Sequence, residues 1–288
     1  MDFLVTLYNL VTSTMEEPGN FGWFHLVCVG AIILLTALVC LGFKDCTERT
    51  VRRISGTVWV IILILEIYKQ LIFGFELVGG KFVWDYAWYA FPFQFCSSPL
   101  YILPIIAFTR SDNLRFACIS YMMTFSLFAG LAVFCYPNDV FIETIGINIQ
   151  TMVHHGSQIL MGIFYAVRFR DRFNRSFFFG GVKVFVVMSL IAMALNIGVY
   201  HAFMHFGIDE TFNMFYISPY FDCTLPLLNM IYPVLPYVGF LCVYFFGFVL
   251  CALIVYGVLS ALIPGEIYVK HRLPVKNSRF KKEYANIC

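Results

Sequence analysis

The sequence predicts an all-α polytopic membrane bundle of seven transmembrane helices, with the N-terminus outside and the C-terminus cytoplasmic. Three observations carry that prediction. Hydrophobic residues make up 60% of the 288 and charged residues 12%, against roughly 45–50% and 25% in soluble domains. Mean hydropathy is +0.80, and 33 residues are Phe; so little charge cannot cover that much apolar surface in water. The Lys and Arg residues between apolar stretches fall almost wholly on one side of the chain's predicted membrane path. A soluble enzyme, a nucleic-acid-binding domain and a disordered chain are excluded. The whole chain, 1–288, reads as a single domain, with about 20 residues outside at the N-terminus and a basic cytoplasmic tail at 264–288.

A helix crossing roughly 30 Å of hydrocarbon needs about 20 apolar residues. Seven stretches qualify: 21–43, 54–76, 92–109, 114–136, 146–167, 178–200 and 235–262. The third is the shortest and is interrupted by Pro99 and Pro104. Residues 2–11 predict a short interfacial helix. The loop after the first span carries Lys44, Arg49, Arg52 and Arg53; the loop after the third carries Arg110 and Arg115. Arg168, Arg170, Arg172 and Arg175 follow the fifth span, and Lys270, Arg272, Lys276, Arg279, Lys281 and Lys282 lie in the tail. On the other side stands Lys81 alone. The positive-inside bias then sets the orientation. The first twenty residues have no Lys or Arg and no long apolar core, so no cleavable signal peptide is expected. The long segment 201–234 contains Asp209, Glu210, Asp222 and many aromatics, and is expected to fold onto the outer mouth. The tail is expected to touch anionic headgroups. The ten cysteines have no C-x-x-C spacing and read as small buried hydrophobes, with no metal site and no cofactor expected.

Ionisable and amide side chains inside spans are costly and so mark function by default. Span 1 opens with His25. Span 2 carries Glu66, Lys69 and Gln70, where Glu66 and Lys69 share a helix face at i, i+3. That pair reads either as a structural ion pair or as part of a site. Span 3 begins Phe-Pro-Phe-Gln94-Phe-Cys96, and span 5 carries Asn148, Gln150, His154, His155 and Gln158. Adjacent histidines point about 100° apart, so at most one faces a shared centre. Asn196 lies near the outer end of span 6. By depth these groups gather in the outer half of the bundle, which reads as a one-sided pocket rather than a channel. Cys96 and His155 differ by about five residues, or roughly 8 Å along their axes, a gap that a typical tilt closes. A Cys with a His at one depth has a specific chemistry: the sulfur attacks while the imidazole activates it and carries the proton. A carboxylate in reach can orient that imidazole. The plainer reading makes Cys96 a packing residue.

Several short motifs, in order, resemble the YwaF family of integral membrane proteins, whose eukaryotic relative is transmembrane protein 164. They are Phe21-Gly22-Trp23-Phe24-His25-Leu26, Leu65-Glu66-Ile67-Tyr68, Phe91-Pro92-Phe93-Gln94-Phe95-Cys96, His155-Gly156, Phe212-Asn213-Met214-Phe215, and Tyr232-Pro233-Val234-Leu235-Pro236-Tyr237. Gln94 stands where the family pattern often has His, and a second histidine, His154, precedes the matched one. The resemblance implies an acyltransferase acting on lysophospholipids through a Cys and a His, which here become Cys96 and His155. Glu66 would hold His155 in its useful tautomer, with Asn213, Gln94 or backbone N–H groups at the start of span 3 stabilising the oxyanion. Pro92 would fit the first turn of that helix. His25, Lys69, Gln94, Gln150, His154, Asn196 and Asn213 are the expected substrate contacts, and membrane phospholipids or lysophospholipids the expected partners. The location implied is the plasma membrane in a bacterium or an endomembrane in a eukaryote. The competing function is a non-enzymatic transporter or a lipid- or small-molecule-binding protein using the same polar pocket. No inverted repeat supports transport, and span 7 has no Lys for a retinal Schiff base.

Overall fold

A computed structural model describes residues 2–137 and 140–263; the basic tail expected at 264–288 lies outside the described residues. The described chain is mostly helical. It opens with α1 (Asp2–Val11), then α2 (Trp23–Phe43) and α3 (Glu48–Ile72), followed by a hairpin of β1 (Phe75–Val78) and β2 (Lys81–Trp84). After it come α4 (Pro99–Phe108), α5 (Asp112–Tyr121), α6 (Leu127–Cys135), α7 (Ile145–Arg168), α8 (Arg175–Phe206), α9 (Leu228–Ile231) and α10 (Tyr237–Leu262). Five helical stretches are long and apolar enough to cross a membrane: α2, α3, Asp112–Cys135 (α5 through α6), α8 and α10. In all but the mostly buried Asp112–Cys135 stretch, many of the apolar residues face outward. Leu26, Val27, Ile33, Leu34, Leu38 and Leu41 of α2 are all exposed, a surface untenable in water and natural against lipid.

The other two expected spans differ from those five, each for a physical reason. The third becomes a 3-10 turn at Phe95–Ser97 leading into α4, together about 21 Å long at 1.5 Å per residue. Pro99, not Pro92, takes the first helical position, where its missing N–H costs nothing; residues 91–94 are a bent, non-helical lead-in in which the Phe93 N–H donates to the Phe91 carbonyl at 2.7 Å. The fifth, α7, is 24 residues long but too polar to count as an apolar span. Its amides, hydroxyls and His154 are buried against neighbouring helices. The second span stops at Ile72, and the chain then turns through Gly79 and Gly80, both with positive φ, into a two-stranded hairpin. Among the described residues the fold is therefore helical apart from this hairpin and the isolated Thr14–Thr144 bridge. The short helix expected at 2–11 is present as α1, with Phe3, Leu4, Leu7 and Leu10 exposed.

α7 sits centrally, packed on α2, α3 and α6, while α5 packs along α8. Between α5 and α6, residues Met122–Ser126 form a π-helical turn that is entirely buried, of the kind that inserts one residue into a helix and is frequent near functional sites. Arginines tie the loops at one end of the bundle. Arg115 pairs with Glu48 at 2.6 Å, Arg170 with Asp45 at 3.2 Å, and Arg168 Nε donates to the Cys46 carbonyl at 2.6 Å. Arg52 donates to the Thr109 carbonyl, so the three basic loops meet at that end. At the opposite end, residues 13–15 bridge to 143–145. There residues 212–217, with Phe212, Met214, Phe215 and Ile217 fully buried, fold onto the segment before α4, as the aromatic loop was expected to do. Phe215 stacks with both Phe93 and Phe95.

Candidate functional site

One cavity of about 370 Å³ gathers side chains from three elements. α3 contributes Glu66 and Lys69, α7 contributes Gln150, Thr151, His154 and His155, and the turn before α4 contributes Gln94, Cys96 and Ser97. Seven of the ten residues singled out in the sequence therefore line one space. The register of Cys96 against α7 is set by hydrogen bonds. The Cys96 carbonyl accepts from His154 Nε2 at 2.9 Å and from Gln158 Nε2. His154 and Gln158 lie one helical turn apart, so they reach the same carbonyl from one face.

These contacts fix both histidine tautomers when the rings are neutral. A carbonyl only accepts, so His154 carries its proton on Nε2, and Nδ1 is the acceptor. Among the described residues, that Nδ1 is buried without a hydrogen-bond partner. His155 is the reverse. Its Nδ1 donates to the Thr151 carbonyl one turn back, at 2.8 Å, which leaves Nε2 with a free lone pair. Both rings therefore keep an unpaired acceptor nitrogen, Nδ1 on His154 and Nε2 on His155, and His154 in addition holds the backbone of Cys96. Neither role separates the two rings in the sequence.

Glu66 is 4% exposed, and its oxygens have other partners than the one expected. Oε1 accepts from Lys69 Nζ at 2.8 Å and from Gln70 Nε2 at 2.7 Å, and Oε2 accepts from Gln150 Nε2 at 3.2 Å. The orienting group on His155 is the Thr151 carbonyl instead, because a residue four positions earlier on the same helix is always within reach. Gln70 passes the network outward, donating to the Ala90 carbonyl and accepting from the Tyr86 hydroxyl. Burial, then the Glu66 carboxylate, pushes the Tyr86 phenol up to about 12, so it remains a neutral donor.

The remaining expected contacts are loop anchors. Gln94 Nε2 donates to the Asn213 carbonyl while its Oε1 accepts from the Phe215 N–H. Asn196, fully buried, brackets Met214 in the same way, donating to its carbonyl at 3.0 Å and accepting from its N–H at 2.7 Å. Asn213 donates to the Asp222 carbonyl and accepts from the Ser218 N–H. Each of these amides commits its oxygen and one N–H to a buried loop whose backbone needs partners, and Gln94 still lines the cavity. His25 lies away from the cavity. Its Nδ1 accepts from the Phe21 N–H, and its ring sits among Phe21, Phe134 and Phe141. Sequence reasoning missed the roles of Gln158 and Thr151; their i+4 and i−4 spacing from the two histidines was the available signal. Tyr86 left no such signal. Among the described residues, no three His, Cys, Asp or Glu side chains gather as a metal would require.

Fold and cavity together define a helical bundle of the membrane-spanning class with a polar pocket near one end. Compared with known proteins, the chain matches no family model, no curated protein and no solved structure.

Proposed function

We propose that this is a seven-span, YwaF-type membrane enzyme, N-terminus outside, that transfers acyl groups on phospholipids or lysophospholipids through an acyl-thioester on Cys96. The observation that carries the reading is the histidine pair: His154 grips the Cys96 carbonyl while His155, its Nδ1 tied to Thr151, lines the same cavity as Cys96 with Nε2 left as its acceptor. The basic loops at one end of the bundle and the positive-inside rule support the orientation.

In the first step His155 Nε2 takes the thiol proton as Cys96 Sγ bonds to the ester carbonyl carbon. The tetrahedral oxyanion is held by backbone N–H groups at the start of the 3-10 turn, with the second amide hydrogen of the cavity-lining Gln94 in support. The carbon–oxygen ester bond then breaks, and His155 returns the proton to the departing glycerol oxygen. A lysophospholipid hydroxyl, or water, reverses the sequence and frees Cys96. Lys69 has three donors, of which Glu66 takes one, so its ammonium is suited to a headgroup phosphate.

The test is lipid analysis of cells or vesicles carrying the wild type, Cys96→Ala or His155→Ala. Both variants should lose the wild-type acyl pattern and still insert. Unchanged lipids with a transport or binding defect would favour the reading as a non-enzymatic carrier, for which the Lys69–Glu66 pair in the cavity is the relevant feature.

A further inference from the structure

Beside the polar cavity, on the other side of the α3–α7 seam, lies a second space of about 330 Å³ with an apolar lining. α1 contributes Leu10 and Val11, α3 contributes Leu65 and Tyr68, and α7 contributes Gly146 and Ile149. Helical phase explains the pairing of the two spaces. Leu65 and Tyr68 alternate along α3 with Glu66 and Lys69, and Ile149 neighbours Gln150 on α7, so each helix gives one face to each space. The Tyr68 ring crosses at Gly146, where a Cβ would stand 2.1 Å from the Tyr68 hydroxyl. Only glycine permits that crossing. The hydroxyl ends on the Val11 carbonyl at 2.6 Å, which fastens α1 over the groove as a roof. The pairing of residues 13–15 with 143–145 closes the top. Downward, the apolar strip runs on through exposed Ile61 of α3 and Val153 of α7, each one turn beyond Leu65 and Ile149.

We infer that this groove is a binding site for one acyl chain of an outer-leaflet glycerophospholipid, with Tyr68 as the partition between chain and polar cavity; this rests on the reading of that cavity as a lipid-ester site. Three features select a lipid chain as the occupant. The groove opens onto the lipid-facing surfaces of two helices and is closed toward water by an amphipathic helix lying at the interface. Its walls offer apolar contact along a narrow, roofed path. It shares a wall with the one cavity that brings Cys96, His155 and Lys69 together, so a lipid seated by its chain has its ester and phosphate held at the level of those groups.

The experiment uses the full-length protein in phosphatidylcholine vesicles containing a trace of phosphatidylcholine with a diazirine in one acyl chain. After irradiation, crosslinks are mapped by peptide mass spectrometry. Peptides bearing Leu65–Tyr68 and Gly146–Ile149 should label more strongly than the exposed lipid-facing residues Leu250, Leu253 and Ile254 of α10. Ile149→Trp, from one wall, and Leu10→Trp, from the other, fill the groove and should each cut that labelling about tenfold; labelling on α10 should stay unchanged. Retention of groove labelling in both Trp variants, or labelling no stronger than on α10, overturns the assignment and marks the groove as ordinary annular surface. That result is independent of the acyl-transfer test: loss of the lipid phenotype in Cys96→Ala with no groove labelling refutes this inference alone. Groove labelling with unchanged lipids in Cys96→Ala refutes the enzyme reading alone.

Discussion

Replacing Glu66 by Gln should destabilise the bundle far more than replacing both members of its ion pair. The Glu66 side chain is 5% exposed and that of Lys69 17%, with 2.8 Å between them. Removing the carboxylate charge alone leaves a mostly buried ammonium unpaired, a change that commonly costs about 3–5 kcal/mol. It also turns an amide toward the Nε2 donors of Gln70 and Gln150, which the carboxylate accepted. The double variant Glu66→Gln, Lys69→Met removes both charges. What it forfeits is chiefly two hydrogen bonds, at about 0.5–1.5 kcal/mol each, so it should sit roughly 2 kcal/mol above the single variant. Reversible unfolding in mixed detergent–SDS micelles measures the cycle, with Lys69→Met as its fourth corner. Because Thr151 rather than Glu66 fixes His155, acyl transfer at saturating lipid should return with stability in the double variant, with KM raised by the loss of the Lys69 ammonium from the cavity. A double variant as unstable as the single, or a single variant within about 1 kcal/mol of wild type, would refute the ion-pair reasoning. Restored stability without restored activity would assign Glu66 to the chemistry after all.

Other outcomes follow from the same contacts. His155→Ala should abolish acyl transfer with the bundle intact, whereas His154→Ala and Gln158→Ala, each removing one donor from the Cys96 carbonyl, should lower both turnover and stability, the latter by about 1–3 kcal/mol; turnover and micellar unfolding on the three variants separate the roles. Asn196→Ala orphans the Met214 N–H, at about 1–3 kcal/mol for a group left buried and unpaired, leaves its carbonyl only the 3.4 Å bond from the Ile217 N–H, and should show as faster amide exchange across 212–217. Tyr86, with its phenol pushed up to about 12, holds its proton more tightly folded than unfolded. Its stabilising effect is therefore present below about pH 10 and lost as pH rises toward 12. Difference absorbance should show its phenolate appearing late, and Tyr86→Phe should remove that part of the alkaline slope.

The bundle was legible where one physical signal dominated. Long apolar runs became α2, α3, α8 and α10 within a few residues, because hydrocarbon leaves the backbone only the helix. Span 3 was legible as an apolar stretch but not as structure. Its prolines at 92 and 99 each suit a helix start, and the choice between them depends on Gln94 being pulled to the loop at 213–215, a contact over a hundred residues away in sequence. Gathering Cys96, His154, His155, Glu66, Lys69, Gln94 and Gln150 needed only depth, which 1.5 Å per residue supplies. Their partners needed rotamers. Gln94 and Asn196 look like ligand contacts in a sequence because an amide in a span must bond something, and here that something is the protein's own loop, within which Asn213 also bonds. The hairpin at 75–84 had its signal in Gly79-Gly80 between Val-rich and aromatic runs, hidden by the apolar residues that lead into it.

The account stands most directly on a covalent acyl group at Cys96. Incubating the purified protein in vesicles of a phospholipid with an alkyne-tagged acyl chain, without added lysophospholipid, should let the acyl-thioester accumulate. After a denaturing quench, intact-protein and peptide mass spectrometry should find one tagged acyl group on Cys96. It should be released by neutral hydroxylamine and be absent in Cys96→Ala and His155→Ala. No adduct under these conditions, together with unaltered lipid turnover in Cys96→Ala, would contradict the account and leave the pocket as a histidine-centred binding or proton-transfer site.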